Sequence, residues 1–242
     1  MLEALGVDVE CDVSVVNRSI EEAGIGIFNG MSPKVHPTAL GRILSQIRFG
    51  TILNIAGSLA NPALPKYGVR DVYSRNMLEP TLLTMKEIGY RQALVFHGLN
   101  AAGNRGVDEM STLGPTTVME LGKDGTISTY QIAPEELGIK VARDADILSS
   151  GNKEVEVLRL LRLISGEEEG ARQDIVCLNA APIPCLMGRA ATLKKGVERA
   201  RSLVQNGKAL RKLQDWTRSQ NADPSLGETR FNELMGRADS PA

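Results

Sequence analysis

The sequence predicts an α/β fold, and three observations predict it. Short apolar runs of strand length, "TILNIAG" at 51–57 and "QALVFHG" at 92–98, end in turn-forming residues. Apolar residues at helical spacing fill neighbouring segments. The two patterns alternate along the chain, as expected of short buried strands covered by helices.

Taken in order, "SVVNRSIEEAGI" reads as a helix with Ser14 at its N-cap, and "PTALGRILSQI" as a second with Leu40, Ile43, Leu44 and Ile47 on one face. "TILNIAG" is apolar and short, and ends in "GSLANPALP", a loop rich in turn formers. "VRDVYS" reads as a strand. Ser74 then caps a helix whose buried stripe is Met77, Leu78, Leu82, Met85 and Ile88. "QALVFHG" is a buried strand ending at Gly98. "TTVMEL" and "TISTYQI" flank "GKDG" and predict a β-hairpin with Asp124-Gly125 in its turn. "APEELGI" is a short capped turn. The last third is helical through "NKEVEVLRLLRLIS", "ARQDIVCLNAAPIPCLMG" and "TLKKGVERARSLVQNGKALRKLQDWTRSQ". Beyond about residue 220 the chain turns polar, which predicts a loosely held tail with one helical turn at "FNELMG".

Composition narrows the function classes. A net charge of −1 gives no global attraction to nucleic acid or anionic lipid. No apolar run is long enough to span a bilayer, and "MLEALGVDVECDVS" lacks the basic and apolar regions of a secretion signal. Cys11, Cys177 and Cys185 fit no zinc spacing and read as reduced thiols, so a cytoplasmic protein is expected. Two histidines exclude a zinc site of several imidazoles. A bound metal would be held by carboxylate oxygens, which favours magnesium or manganese.

Asp108 and Glu109 are adjacent acids on a glycine-flanked turn after a buried strand. Charged turn residues are most often merely solvated, but in open α/β sheets ligands collect beyond the carboxyl ends of strands. Two carboxylates there suit a hydrated Mg²⁺ bridging to a phosphorylated substrate. In "KVHPTALGR", Pro37 fits a first helical turn with His36 near the cap and Arg42 solvated; the sharper reading puts His36 in a pocket with Arg42 as a carboxylate fork. "NIAGSLANPA" is an ordinary strand-closing loop or, through Gly57, a close backbone approach to a ligand. His97 reads as a satisfied strand-end histidine. No Gly-x-Gly-x-x-Gly, Walker loop or nucleophile elbow is present, and no side chain is assigned a catalytic role.

Together, "LEALGV", "HP", "TILNIAGSLANPA", "VYS", "ALVFHG", "VDEMSTLGPT", "APEELGI" and "IVCLNAA" resemble, in order and spacing, the anthranilate phosphoribosyltransferases, which share a fold with pyrimidine nucleoside phosphorylases. The resemblance implies a central mixed, largely parallel sheet flanked by helices, over residues 1–220, with 221–242 as a polar C-terminal tail. It implies phosphoribosyl transfer from phosphoribosyl pyrophosphate (PRPP) to an aromatic amine, anthranilate in tryptophan biosynthesis, with release of pyrophosphate. Asp108 and Glu109 take the place of the family's Mg²⁺-binding acids. His36, Arg42, Gly57 and Ser58 take the place of its acceptor pocket. There the sequence departs from the pattern: Arg42 falls closer to His36 than in the family, and Ser58 stands where the family has a proline.

The family's N-terminal helical domain, glycine-rich phosphate loop and Lys-His-Gly-Asn stretch have no counterpart here. The resemblance therefore implies a C-terminal α/β portion, weak or inactive alone, with a homodimer or a partner chain supplying the N-terminal part. Three rivals stay open at this point: a different acceptor, a nucleoside phosphorylase, and a non-catalytic nucleic-acid-binding relative.

Overall fold

The computed structural model describes residues 1–30, 32, 34, 46–47, 56–57, 59, 61 and 63–238. The second helix, "PTALGRILSQI", and the apolar run "TILNIAG" fall mostly outside them. Along the chain the described elements are α1 (Val13–Ala23), β1 (Tyr67–Asp71), α2 (Leu78–Glu87), β2 (Gln92–Leu99), β3 (Gly106–Val107), β4 (Thr116–Leu121) and β5 (Ile127–Ile132). They continue with α3 (Asp144–Ile147), α4 (Lys153–Ser165), α5 (Ala171–Ala180), α6 (Pro182–Leu186), α7 (Leu193–Gln205), α8 (Lys208–Ser219) and α9 (Pro224–Ala238). They divide into two compact units: Met1–Ala60 with Ser149–Glu167 and Gly207–Ala242, and Asn61–Leu148 with Glu168–Asn206.

The second unit holds a mixed five-stranded sheet in the order β1-β2-β4-β5, with β3 paired to the end of β2. The predicted α/β class is therefore present, with helices against the sheet. β1 runs parallel to β2, while β2 with β3, β2 with β4, and β4 with β5 are antiparallel. The turn between Leu121 and Ile127 is too short for a crossover and allows only an antiparallel return from β4 to β5; among the described residues the parallel pairing is β1 with β2. β2 lies between β1 and β4 and is buried from Gln92 to Gly98, which explains its unbroken apolar run. α2 packs on β2 and β4 through Leu78, Leu82 and Met85.

The hairpin forms as expected: Gly125 takes φ +80°, and Asp124 Oδ1 accepts from Thr126 N at 3.1 Å and Thr126 Oγ1 at 2.6 Å. In the "APEELGI" turn, Ala133 N donates to Glu136 Oε1 at 2.7 Å. Several boundaries differ from expectation. Asp12, not Ser14, is the N-cap of α1, because Val15 N already bonds Asp12 O at 2.9 Å. Ser74 heads a one-turn 3-10 helix, Arg75–Met77, ahead of α2, and Ile88 lies past the end of α2 and is 48% exposed. β1 ends at Asp71, before "VYS".

The first unit corrects the reading of the C-terminus. Residues Pro224–Ala238 form a full helix, α9, not a loose tail with one turn. Its Phe231, Leu234 and Ala238 are buried in one cluster with Leu5, Val157, Leu161 and Leu213. Gly227 lets α9 approach α8 so closely that a Cβ would sit 1.9 Å from Thr217 O. Arg162 Nε donates to Ala238 O at 3.1 Å, and Arg237 pairs with Glu154. The segment is polar in composition because α9 buries one narrow stripe and leaves the rest in water. No helix among the described residues is long and apolar enough to cross a membrane.

Candidate metal and substrate site

The acidic pair follows β3, which turns back antiparallel along the end of β2 in the register Gly98↔Val107 and Leu99↔Gly106. The excursion from β2 to β3 is closed by Asn100: its Oδ1 accepts from the backbone N of Asn104 and Arg105, both at 3.1 Å. Past the pair the chain is tied down again. Ser111 Oγ donates to Leu99 O at 2.7 Å, and Ser111 N donates to Thr116 Oγ1 at 2.9 Å. Two glycines make these approaches sterically feasible. A Cβ on Gly98 would stand 2.5 Å from Glu109 O, and one on Gly114 would stand 2.5 Å from Asn100 O. Residues 110–114 are buried, so the acids rest on a packed base.

Asp108 is exposed and Glu109 half-buried. Burial pushes the Glu109 carboxyl above its ordinary value, and the neighbouring charges of Asp108 and Asp71 push it the same way. Asp71, at the end of β1, is also raised, first by its own burial and further by Asp108, with Arg70 opposing. Three carboxylates thus share one region of negative potential at the ends of β1 and β3. A divalent cation relieves such crowding, and hard oxygen donors suit Mg²⁺. Among the described residues no three acids, cysteines or histidines converge on a complete cage. One or two carboxylates with waters and substrate phosphates are the usual Mg²⁺ arrangement, so the donor set fits that ion.

His97 is buried, and its Nδ1 lies 2.9 Å from Val72 O, the satisfied strand-end histidine expected from sequence. Gly57 is exposed in helical backbone with open space where a side chain would stand. His36, Arg42 and Ser58 lie outside the described residues, so nothing here brings them to the acidic pair. Asp71 escaped the sequence reading; a charged residue ending a strand parallel to β2 is the signal that marks it.

The sequence model of the "Glycosyl transferase family, a/b domain" matches residues 1–210. The chain belongs to that family. It is 37% identical over 214 residues to the anthranilate phosphoribosyltransferase of Azospirillum brasilense, covering 88% of this chain and 58% of that protein. It is 36% identical over 218 residues to the enzyme of Methanococcoides burtonii, covering 89% of this chain and 58% of that one. The crystal structure of anthranilate phosphoribosyltransferase from Thermus thermophilus superposes with a TM-score of 0.77 at 33% identity, over 91% of this chain and 63% of that one. The Saccharomyces cerevisiae enzyme, solved in complex with PRPP and Mg, has the same fold at a TM-score of 0.74 and 22% identity, over 90% of this chain and 61% of that one. The chain therefore spans about 58% of the length of the two bacterial and archaeal relatives. Its family members are transferases of glycosyl groups, and the phosphoribosyltransferases among them bear out the sequence resemblance.

Proposed function

We propose that this chain serves phosphoribosyl transfer from PRPP to anthranilate, with release of pyrophosphate, and that Asp108 and Glu109 hold the Mg²⁺ that accompanies the donor. The observation that carries this reading is the acidic pair itself, fixed on a packed base at the end of β3 with a third acid, Asp71, adding to its negative potential. The names of the relatives supply the substrates; the donor chemistry of the pair fits the ion.

In the reaction, the amine nitrogen forms a bond to the sugar's anomeric carbon as the bond to pyrophosphate breaks. Positive charge develops on the ring, and little is left for a side-chain base, so alignment dominates. Bound Mg²⁺ supplies charge neutralisation on the departing pyrophosphate. Asp108 and Glu109 fix where that neutralisation occurs. By resemblance, His36, Arg42, Gly57 and Ser58 orient the acceptor, Arg42 through the anthranilate carboxylate.

The experiment is Mg²⁺-dependent binding of pyrophosphate by calorimetry, which reads out whether or not the chain turns over alone. Binding should be present in the wild type and lost in Asp108→Asn/Glu109→Gln. Wild-type affinity in the double variant would reject the assignment. Ser58 in place of the family's proline supports a second reading, a different aromatic amine, which an acceptor panel separates from the first.

A further inference from the structure

We propose that Asn179 is a positioning residue for the acidic pair, acting through the backbone of Met110. The proposal rests on the reading of Asp108 and Glu109 as metal carboxylates. Asn179 is near the end of α5, and its amide grips the residue that follows Glu109 with both ends. Its Oδ1 accepts from Met110 N at 2.8 Å, while its Nδ2 donates to Met110 O at 3.0 Å and to Ile175 O at 3.0 Å.

The peptide planes on both sides of Met110 are therefore pinned by one side chain. The first of these planes is the bond that leaves Glu109. Its carbonyl, Glu109 O, is seated against Gly98, where a Cβ would come within 2.5 Å. The Met110 side chain is itself fully buried. Glu109 is thus held on its carboxyl side by a strand contact and an amide clamp, and its side chain projects from a backbone with little freedom. Only a side chain that accepts and donates in one plane can make this pair of bonds. Aspartate would lose the donor, leucine would lose both bonds at similar size, and glutamine would place the amide one methylene too far.

α5 is a firm base for the clamp. Arg201 of α7 pairs with Asp174 at 2.6 Å, Cys177 and Leu178 are buried, and Arg172 Nη2 donates to Leu148 O. Groups that orient the ligands of a metal commonly affect its affinity by about 10–100-fold without touching it.

The test is Mn²⁺ affinity, read from the free-ion electron paramagnetic resonance signal, on the full chain. Asn179→Leu should bind Mn²⁺ about tenfold more weakly. Leu178→Ala, a buried change on the same helix that leaves the clamp intact, should keep wild-type affinity even where it lowers the melting temperature more. Wild-type affinity in Asn179→Leu, or an equal loss in Leu178→Ala, would overturn the proposal. If Asn179→Leu does not fold, amide exchange in the wild type decides: Met110 N–H should exchange slowly, and rapid exchange would sink the clamp. Mn²⁺ binding that survives Asp108→Asn/Glu109→Gln is a different failure. It removes the metal reading and the clamp's purpose with it, whereas loss in that variant beside retention in Asn179→Leu removes the clamp alone.

Discussion

The acidic loop between β2 and β4 and the C-terminal helix α9 are both polar in sequence, yet they are held by opposite means. The loop is fastened by hydrogen bonds to its own backbone, from Asn100, Ser111, Thr116 and Asn179, and its acids stay partly in water. α9 is fastened chiefly by an apolar stripe, Phe231, Leu234 and Ala238, and its polar face adds only peripheral contacts such as the Arg237–Glu154 pair. Each also depends on a glycine facing a carbonyl: Gly98 against Glu109 O in the loop, Gly227 against Thr217 O in the helix. Hydrogen bonds fix direction, which a charged site needs, and buried area fixes stability, which a core needs. The same glycine device serves both.

Phe231→Ala should show the largest effect on the helix side. Removing a fully buried ring from a cluster costs about 3–5 kcal/mol. Urea unfolding should show the lower midpoint, and an unchanged one would mean α9 contributes nothing to its unit. Gly227→Ala comes next. A methyl placed 1.9 Å from Thr217 O must push the helices apart, at a cost of about 2–3 kcal/mol despite alanine's better helix propensity. Stability equal to the wild type would show that α9 moves freely on α8.

Gly98→Ala applies the same insult to the loop, with a contact at 2.5 Å. Its stability loss should be smaller, about 1–2 kcal/mol, because giving way there strains hydrogen bonds of Ser111 and Asn179 and opens no apolar core. Mn²⁺ affinity should fall along with it; retained affinity would break the comparison, since the acids would then tolerate a displaced backbone. The smallest effect concerns charge. The folded-state carboxyl of Glu109 is raised above its ordinary 4.5, so its stabilising contribution is complete below that value and is lost as pH rises through the raised one. Metal-free Glu109→Gln should therefore be slightly more stable than the wild type at neutral pH, with the gap closing in acid. A variant less stable at neutral pH would show that the charge is welcome without a cation.

Local patterns were legible in sequence and long-range ones were not. The hairpin at Asp124-Gly125, the buried run of β2 and the adjacent acids are each written within a few residues. The stripe of α9 is also visible at helical spacing. Its burial is not, because Leu5 and Val157 meet it from distant parts of the chain. Asp71 joins the acids only through the register of β1 on β2, and Asn179 reaches Met110 across 69 residues. The N-cap of α1 went to Asp12 rather than Ser14 because both are good caps and only the backbone decides.

The core that closes around α9 has a spectroscopic consequence. Trp216, the chain's one tryptophan, packs at the edge of that cluster in the first unit. All four tyrosines, Tyr67, Tyr73, Tyr90 and Tyr130, belong to the second unit. Nature has in effect labelled the two halves with different chromophores. Tryptophan emission follows the melting of one and tyrosine absorbance the melting of the other, so a single unlabelled sample reports whether they come apart together or in turn.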